Sequence, residues 1–169
     1  MTRLYIVRHG ETEWNLEKRF QGWKDSPLTK TGREQVLSLA ERLKKHDVRY
    51  LYSSPSGRTI KTSEMIADAI ELDVIEEPDF KEINLGELEG KKVEWVKENH
   101  PKILHDFWND PVNYEPISGE NFYEFRRRVI STLDTLLNKH LDDNILIVSH
   151  AAASKVILSH LDGKGLDEL

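Results

Sequence analysis

The sequence predicts an α/β fold: a three-layer sandwich in which helices flank a mostly parallel central sheet, with a small cap over the strand ends. Two observations carry this. Tyr5-Ile6-Val7-Arg8-His9 and Leu146-Ile147-Val148-Ser149-His150 are short apolar runs that each stop at a histidine. Runs of that length read as strands buried on both faces. Between them, strand and helix patterns alternate, the order that builds parallel pairs through right-handed crossovers. Ligands of open parallel sheets gather at the carboxyl ends of the strands. Two histidines delivered there from distant parts of the chain are placed to face one another across a pocket.

Leu4–Val7 forms the first strand. Polar residues then dominate from Glu11 to Pro27, and with Gly22 and Pro27 as punctuation this segment reads as a long active loop. Thr31 with Glu34 three residues on matches a capping box. Val36, Leu39, Ala40 and Leu43 follow at helical spacing, so a helix is expected to run to about His46. Tyr50–Ser53 is a second strand, and Ser54-Pro55-Ser56-Gly57 turns into a helix whose buried face includes Ile60, Ile66, Ala67 and Ile70. Val74-Ile75 is a short third strand closed by Pro78. From Phe80 to Ser118 glycines and prolines break the regularity, while Trp95, Phe107, Trp108 and Tyr114 concentrate there; this is the cap, at about 80–120. Phe122, Phe125, Val129, Leu133 and Leu136 mark a long helix, followed by the strand Ile145–Ser149 and a last helix to about Leu161.

The 169 residues suffice for one hydrophobic core, so the whole chain, 1–169, reads as a single domain. Without cysteine, disulfides, thiolate catalysis and thiolate metal ligation are excluded. A formal net charge of -6 argues against wholesale nucleic-acid binding, and Arg126-Arg127-Arg128 point in different directions on a helix. No apolar run approaches the ~20 residues of a membrane span, and the first strand follows the first residues too closely for a signal peptide. A cytoplasmic protein is expected.

Arg8-His9-Gly10-Glu11 stands where the first strand empties into a loop. Neutral imidazole is a nucleophile at ordinary pH, Arg8 offers donors matched to phosphate or carboxylate oxygens, and Gly10 allows a close turn beside a ligand. The bland reading pairs Arg8 with an acidic neighbour and His9 with a loop carbonyl. Arg58, at the first turn of the second helix, is a cation where the helix dipole disfavours one; a bound anion would remove the conflict. Glu82, Glu87 and Glu89 lie in one glycine-punctuated loop, and spacing alone does not choose which would protonate a leaving oxygen. His150 ends a strand and starts a helix, a position from which to stabilise charge on a transferring group. His46, His100, His105, His140 and His160 read as packing or surface residues. A zinc set of His9, His150 and one glutamate is conceivable, but H-E-x-x-H is absent and two arginines oppose a cation. The P-loop and dinucleotide fingerprints are absent too.

Taken in order, Arg8-His9-Gly10-Glu11-Thr12, Asn15, Gln21-Gly22, the Asp25-to-Gly32 stretch, Ser53-Ser54-Pro55 with Arg58, Glu82 with Gly86 and Gly90, and Val148-Ser149-His150 resemble the histidine phosphatase superfamily, which includes cofactor-dependent phosphoglycerate mutases. The resemblance covers nearly the whole chain and implies the phosphoglycerate mutase-like version of the predicted sandwich. It implies that His9 is the nucleophile that becomes phosphohistidine, with Arg8, Arg58 and His150 completing the phosphate pocket. Glu82 would be the proton donor and then the base toward water. Asn15 would bind the phosphoryl group, with Gln21 and Gly22 lining the approach. No metal and no cofactor are implied, and the partner is a small phosphorylated metabolite.

The expected activity is hydrolysis of a small phosphomonoester, because the compact cap lacks the insertions with which mutases retain bisphosphoglycerate. Phosphoglycerate mutase, alpha-ribazole phosphatase and a catalytically blunted phosphate-binding module are the alternatives. Two departures bear on them. Ala151 and Ala152 stand where relatives commonly carry glycines, narrowing the pocket or firming the helix start. Relatives also continue into a further strand, and a chain lacking it would present a sheet edge open to homodimer association.

Overall fold

The structure, a computed structural model, describes residues 2–169. In chain order the strands are β1 (Arg3–Arg8), β2 (Tyr50–Ser53), β3 (Val74–Glu76) and β4 (Asn144–Ser149). The helices are α1 (Glu13–Leu16), α2 (Lys30–Leu43), α3 (Gly57–Ile70), α4 (Val93–Asn99), α5 (Pro101–Asn109), α6 (Phe122–Lys139) and α7 (Ala151–Leu161). The strands form one wholly parallel sheet in the order β1-β4-β2-β3.

The apolar runs owe their continuity to burial on both faces of this sheet. Ile145 and Ile147 of β4 face a cluster with Phe125, Leu133 and Val156 from α6 and α7. Leu146 and Val148 face the opposite cluster with Val36, Ala40 and Ile66 from α2 and α3. The period-two alternation of a strand therefore feeds two cores. Each such side chain contributes roughly 1.5–3 kcal/mol on leaving water. The register pairs Val7 with Val148 and Arg8 with Ser149, so His9 and His150 leave the same carboxyl edge side by side.

Three local expectations are corrected. The Glu11–Pro27 segment contains the short helix α1, started by Thr12 and Asn15 in a capping box. α2 is capped by Thr29, not Thr31: the Thr29 hydroxyl accepts from Gly32 N at 2.8 Å and donates to Glu11 Oε1 at 2.8 Å. A tertiary partner thus outweighs the better local capping pattern two residues on. α2 also stops at Leu43, short of His46. The cap is α4, α5 and two 3₁₀ turns, anchored by Phe107, whose ring lies 5.4 to 5.6 Å from those of Phe20, Tyr114 and Phe122. Among the described residues no helix is long and apolar enough to cross a membrane.

Candidate active site

Where β1 and β4 end, a cavity of about 360 Å³ opens between the sheet edge and the cap. His9, Arg8, Arg58, Glu82, Asn15, Gln21 and Gly22 all line it. His150 stands one layer behind, fully buried, its ring centroid 5.4 Å from that of His9.

The hydrogen-bond partners fix both tautomers. Gly10 O can only accept, so His9 Nδ1, 2.8 Å away, carries the proton and Nε2 keeps its lone pair. That lone pair accepts from Arg58 Nε at 3.3 Å. Arginine can only donate, so His150 Nδ1, 3.0 Å from Arg58 Nη2, is an acceptor, and His150 Nε2 donates to Ser54 Oγ at 2.8 Å. Both rings are neutral. Burial, then the Arg58 charge, holds the His9 pKa down to about 3, and the same two causes hold His150 well below the usual imidazole range.

Arg58 is 1% exposed and uses all five N–H groups. Beyond the two imidazoles it donates to Gly22 O, Lys24 O and the Asp25 carboxylate, each at 2.8 Å. Asp25 Oδ1 also accepts from Arg58 N at 3.3 Å at the start of α3. The anion expected at this helix start is therefore built in, supplied by Asp25. Sequence reasoning missed that pairing, since a contact across 33 residues leaves no local trace. Arg8, by contrast, is exposed at the cavity, and among the described residues nothing pairs with its guanidinium. The bland reading of Arg8 is excluded, while that of His9 holds in part: its loop carbonyl is what sets the tautomer.

The three acids separate cleanly. Glu87 is exposed. Glu89 is buried, and its carboxylate accepts from Trp23 N, Lys24 N and Leu85 N at 2.8, 2.9 and 3.1 Å, which makes it a loop staple. Gly22, at φ +54°, leaves room for that carboxylate; a Cβ there would come within 2.3 Å of Glu89 Oε1. Glu82 alone of the three reaches the cavity, accepting from Ala152 N at 3.1 Å and Ile83 N at 3.0 Å. Burial of its carboxyl raises its pKa above the usual range, against the opposing pull of those two amides.

Asn15 Oδ1 is engaged by Thr12 N and Thr12 Oγ1, so its amide hydrogens remain for the cavity. Gln21 Oε1 likewise accepts from Ser26 Oγ at 3.3 Å. Gly10 is required by packing: a Cβ would meet Gly32 O at 2.6 Å and Val36 Cγ2 at 2.9 Å. Ala151 and Ala152 line the cavity, yet Ala152 N keeps its bond to Glu82. No three carboxylate or imidazole side chains among the described residues converge as metal ligands; the Arg58 guanidinium instead bridges one nitrogen of each histidine.

Residues 4–169 match the family model of the Histidine phosphatase superfamily (branch 1). The chain belongs to the histidine phosphatase superfamily. It is 35% identical over 163 residues to the "Probable phosphoglycerate mutase GpmB" of Escherichia fergusonii, covering 96% of this chain and 76% of that protein. Among solved structures, Bacillus stearothermophilus YhfR superimposes with a TM-score of 0.95 at 34% identity, over 99% of this chain and 83% of that one. A putative alpha-ribazole-5'-P phosphatase from Escherichia coli superimposes with 0.88 at 27% identity, over 97% and 81%. The sandwich predicted from sequence is the family's fold. As a histidine phosphatase, the protein is a hydrolase that acts on a small phosphomonoester through a phosphohistidine.

Proposed function

We propose that His9 is the residue phosphorylated, and that the ester's leaving group occupies the apolar half of the cavity. His9 Nε2 attacks phosphorus, the N–P bond forms, and the P–O ester bond breaks. The departing oxygen takes the proton that burial keeps on Glu82. Glu82, now a carboxylate, accepts a proton from water as that water attacks phosphorus. The N–P bond then breaks, its electron pair returns to Nε2, and inorganic phosphate leaves.

The phosphoryl oxygens meet Arg8, Arg58 and the Asn15 amide. Arg58 exchanges its Nε contact with His9 for one to the substrate, since the nucleophile's lone pair must face phosphorus. His150 stays neutral throughout: its Nδ1 accepts from Arg58 Nη2 and so holds the guanidinium beside the group in transfer as charge builds there.

The observation that carries this reading is the tautomer of His9: its proton is committed to Gly10 O and its lone pair is turned to the side of Arg58. The cavity wall beyond Glu82 speaks for hydrolysis of an ester with an apolar or aromatic alcohol. Phe20, Val93, Phe107, Trp108 and Pro111 form it, and Trp108, stacked 6.4 Å from Phe20, is still 58% exposed, which leaves indole surface for a substrate ring. Phosphoglycerate, with its carboxylate and hydroxyl, would leave this apolar wall unused and turn instead to Lys18, Arg19 and Lys155 elsewhere in the lining. The alpha-ribazole phosphate named for one relative brings an aromatic group and fits better. A panel of aryl, alkyl and sugar phosphates and the monophosphoglycerates tests the reading, with and without bisphosphoglycerate. Metal-free turnover favouring aromatic esters, lost in a folded His9→Ala variant, is expected. Undiminished turnover in that variant, or cofactor-dependent isomerisation as the main activity, overturns it.

A further inference from the structure

Of the run Arg126-Arg127-Arg128, Arg128 gives three of its five donors to one backbone segment and the other two to Glu120. Nη1 donates to Asp79 O at 2.7 Å and Lys81 O at 2.9 Å; Nη2 donates to Glu82 O at 2.8 Å. Nε and Nη2 form a two-pronged pair with Glu120, at 2.6 and 2.7 Å. Glu120 in turn accepts from Asn84 N at 2.8 Å and donates its own N–H to Asn84 O at 2.9 Å. The residues held this way, 79 to 84, begin within a 3₁₀ turn (Pro78–Phe80) and belong to no strand. Fully buried Phe80 and Ile83 keep the segment against the core. Its carbonyls thus lack ladder partners in a place poor in water, where an unmade bond is costly.

We propose that Arg128, braced by Glu120, is a positioning residue for the proton donor at 82. The Glu82 carbonyl is gripped from both sides, by Arg128 Nη2 and by Trp23 Nε1 at 2.9 Å. With that carbonyl fixed, the carboxylate sits within reach of Ile83 N at 3.0 Å and Ala152 N at 3.1 Å, at the cavity wall. General acid catalysis depends on placing the acid within hydrogen-bond reach of the leaving oxygen, so loosening the grip degrades the proton transfer before it degrades phosphate binding. A lysine cannot substitute: it has three donors on one atom, against the planar fork of five used here.

The inference rests on Glu82 being the acid, and leaving-group dependence tests both at once. The readout is kcat/KM for p-nitrophenyl phosphate, whose leaving group departs without a proton, against 2-phenylethyl phosphate, whose alkoxide needs one. In Arg128→Lys the alkyl ester is expected to lose on the order of 10²-fold while the aryl ester changes little. Glu120→Gln, which leaves the guanidinium in place but loosens its fork, shows the same bias more weakly and serves if Arg128→Lys does not fold. Glu82→Gln sets the limit of the bias. Equal losses on both esters, or none, in the Arg128 or Glu120 variants while Glu82→Gln shows the bias, overturn the positioning role alone. No bias in Glu82→Gln overturns the proton-donor reading, and this inference with it.

Discussion

Two imidazoles kept neutral inside the protein make its stability respond to acid in a way that one substitution can isolate. His9 is 8% exposed, and burial beside Arg58 lowers its pKa to about 3. The unfolded chain returns it to ~6.5. Between those values the unfolded state binds a proton that the folded state refuses, so stability rises with pH and is lost as pH falls below ~6.5 toward the folded value. One such group contributes a slope of about 1.4 kcal/mol per pH unit, hence roughly 2–3 kcal/mol between about pH 6 and about pH 4. His9→Gln keeps the volume and a polar head but never titrates. Urea unfolding of both proteins down to about pH 4 is the assay. The stability of His9→Gln relative to the parent is expected to rise by roughly 2–3 kcal/mol across that interval, whatever its offset at neutral pH. Parallel curves would refute the claim that His9 is held neutral by its surroundings.

Other expectations follow from the same geometry. Gly10→Ala forces a Cβ to within 2.6 Å of Gly32 O, a backbone atom in α2 that cannot swing aside, so denaturation should show a loss of about 1–3 kcal/mol. Asp25→Asn removes the carboxylate from Arg58 and from the start of α3. Its thermal midpoint should fall, and kcat should drop more than KM rises, because the arginine that meets the transferring group is freed to wander. Glu82 must be protonated to act, and burial raises its pKa. kcat/KM for alkyl esters should therefore decline as pH rises through that pKa, with Glu82→Gln lacking this limb; an identical alkaline decline in the variant counts against the assignment.

The layers of this fold were open to reading because burial writes itself into local pattern. β4, central and covered on both faces, is an unbroken apolar run, and the amphipathic faces of α2, α3 and α6 carry their own spacing. The histidines at 9 and 150 were equally legible, since each interrupts such a run at the edge where parallel sheets bind ligands. Choices between near-equivalent local signals were not. Thr29 prevails over Thr31 only because Glu11 lies across from it. Glu82 differs from Glu89 only in which backbone amides each carboxylate meets. The partners of Arg58 and Arg128 stayed hidden for the same reason. Asp25 and Gly22 come from a loop more than thirty residues away, and the segment 79–84 is joined to α6 only in three dimensions. A cation at a helix start looked like a request for ligand, whereas the chain answers most of it internally.

The phosphoenzyme itself is the most direct test. Brief reaction with a ³²P-labelled aryl phosphate, a denaturing quench at alkaline pH and peptide mapping should place the label on the peptide that carries His9. That label should be acid-labile and base-stable, as a phosphoramidate is, and absent from His9→Ala. Label on His150 or on a serine, or steady turnover of the same ester with no trappable phosphoprotein, would contradict the assignment of His9 as the residue that carries the phosphoryl group.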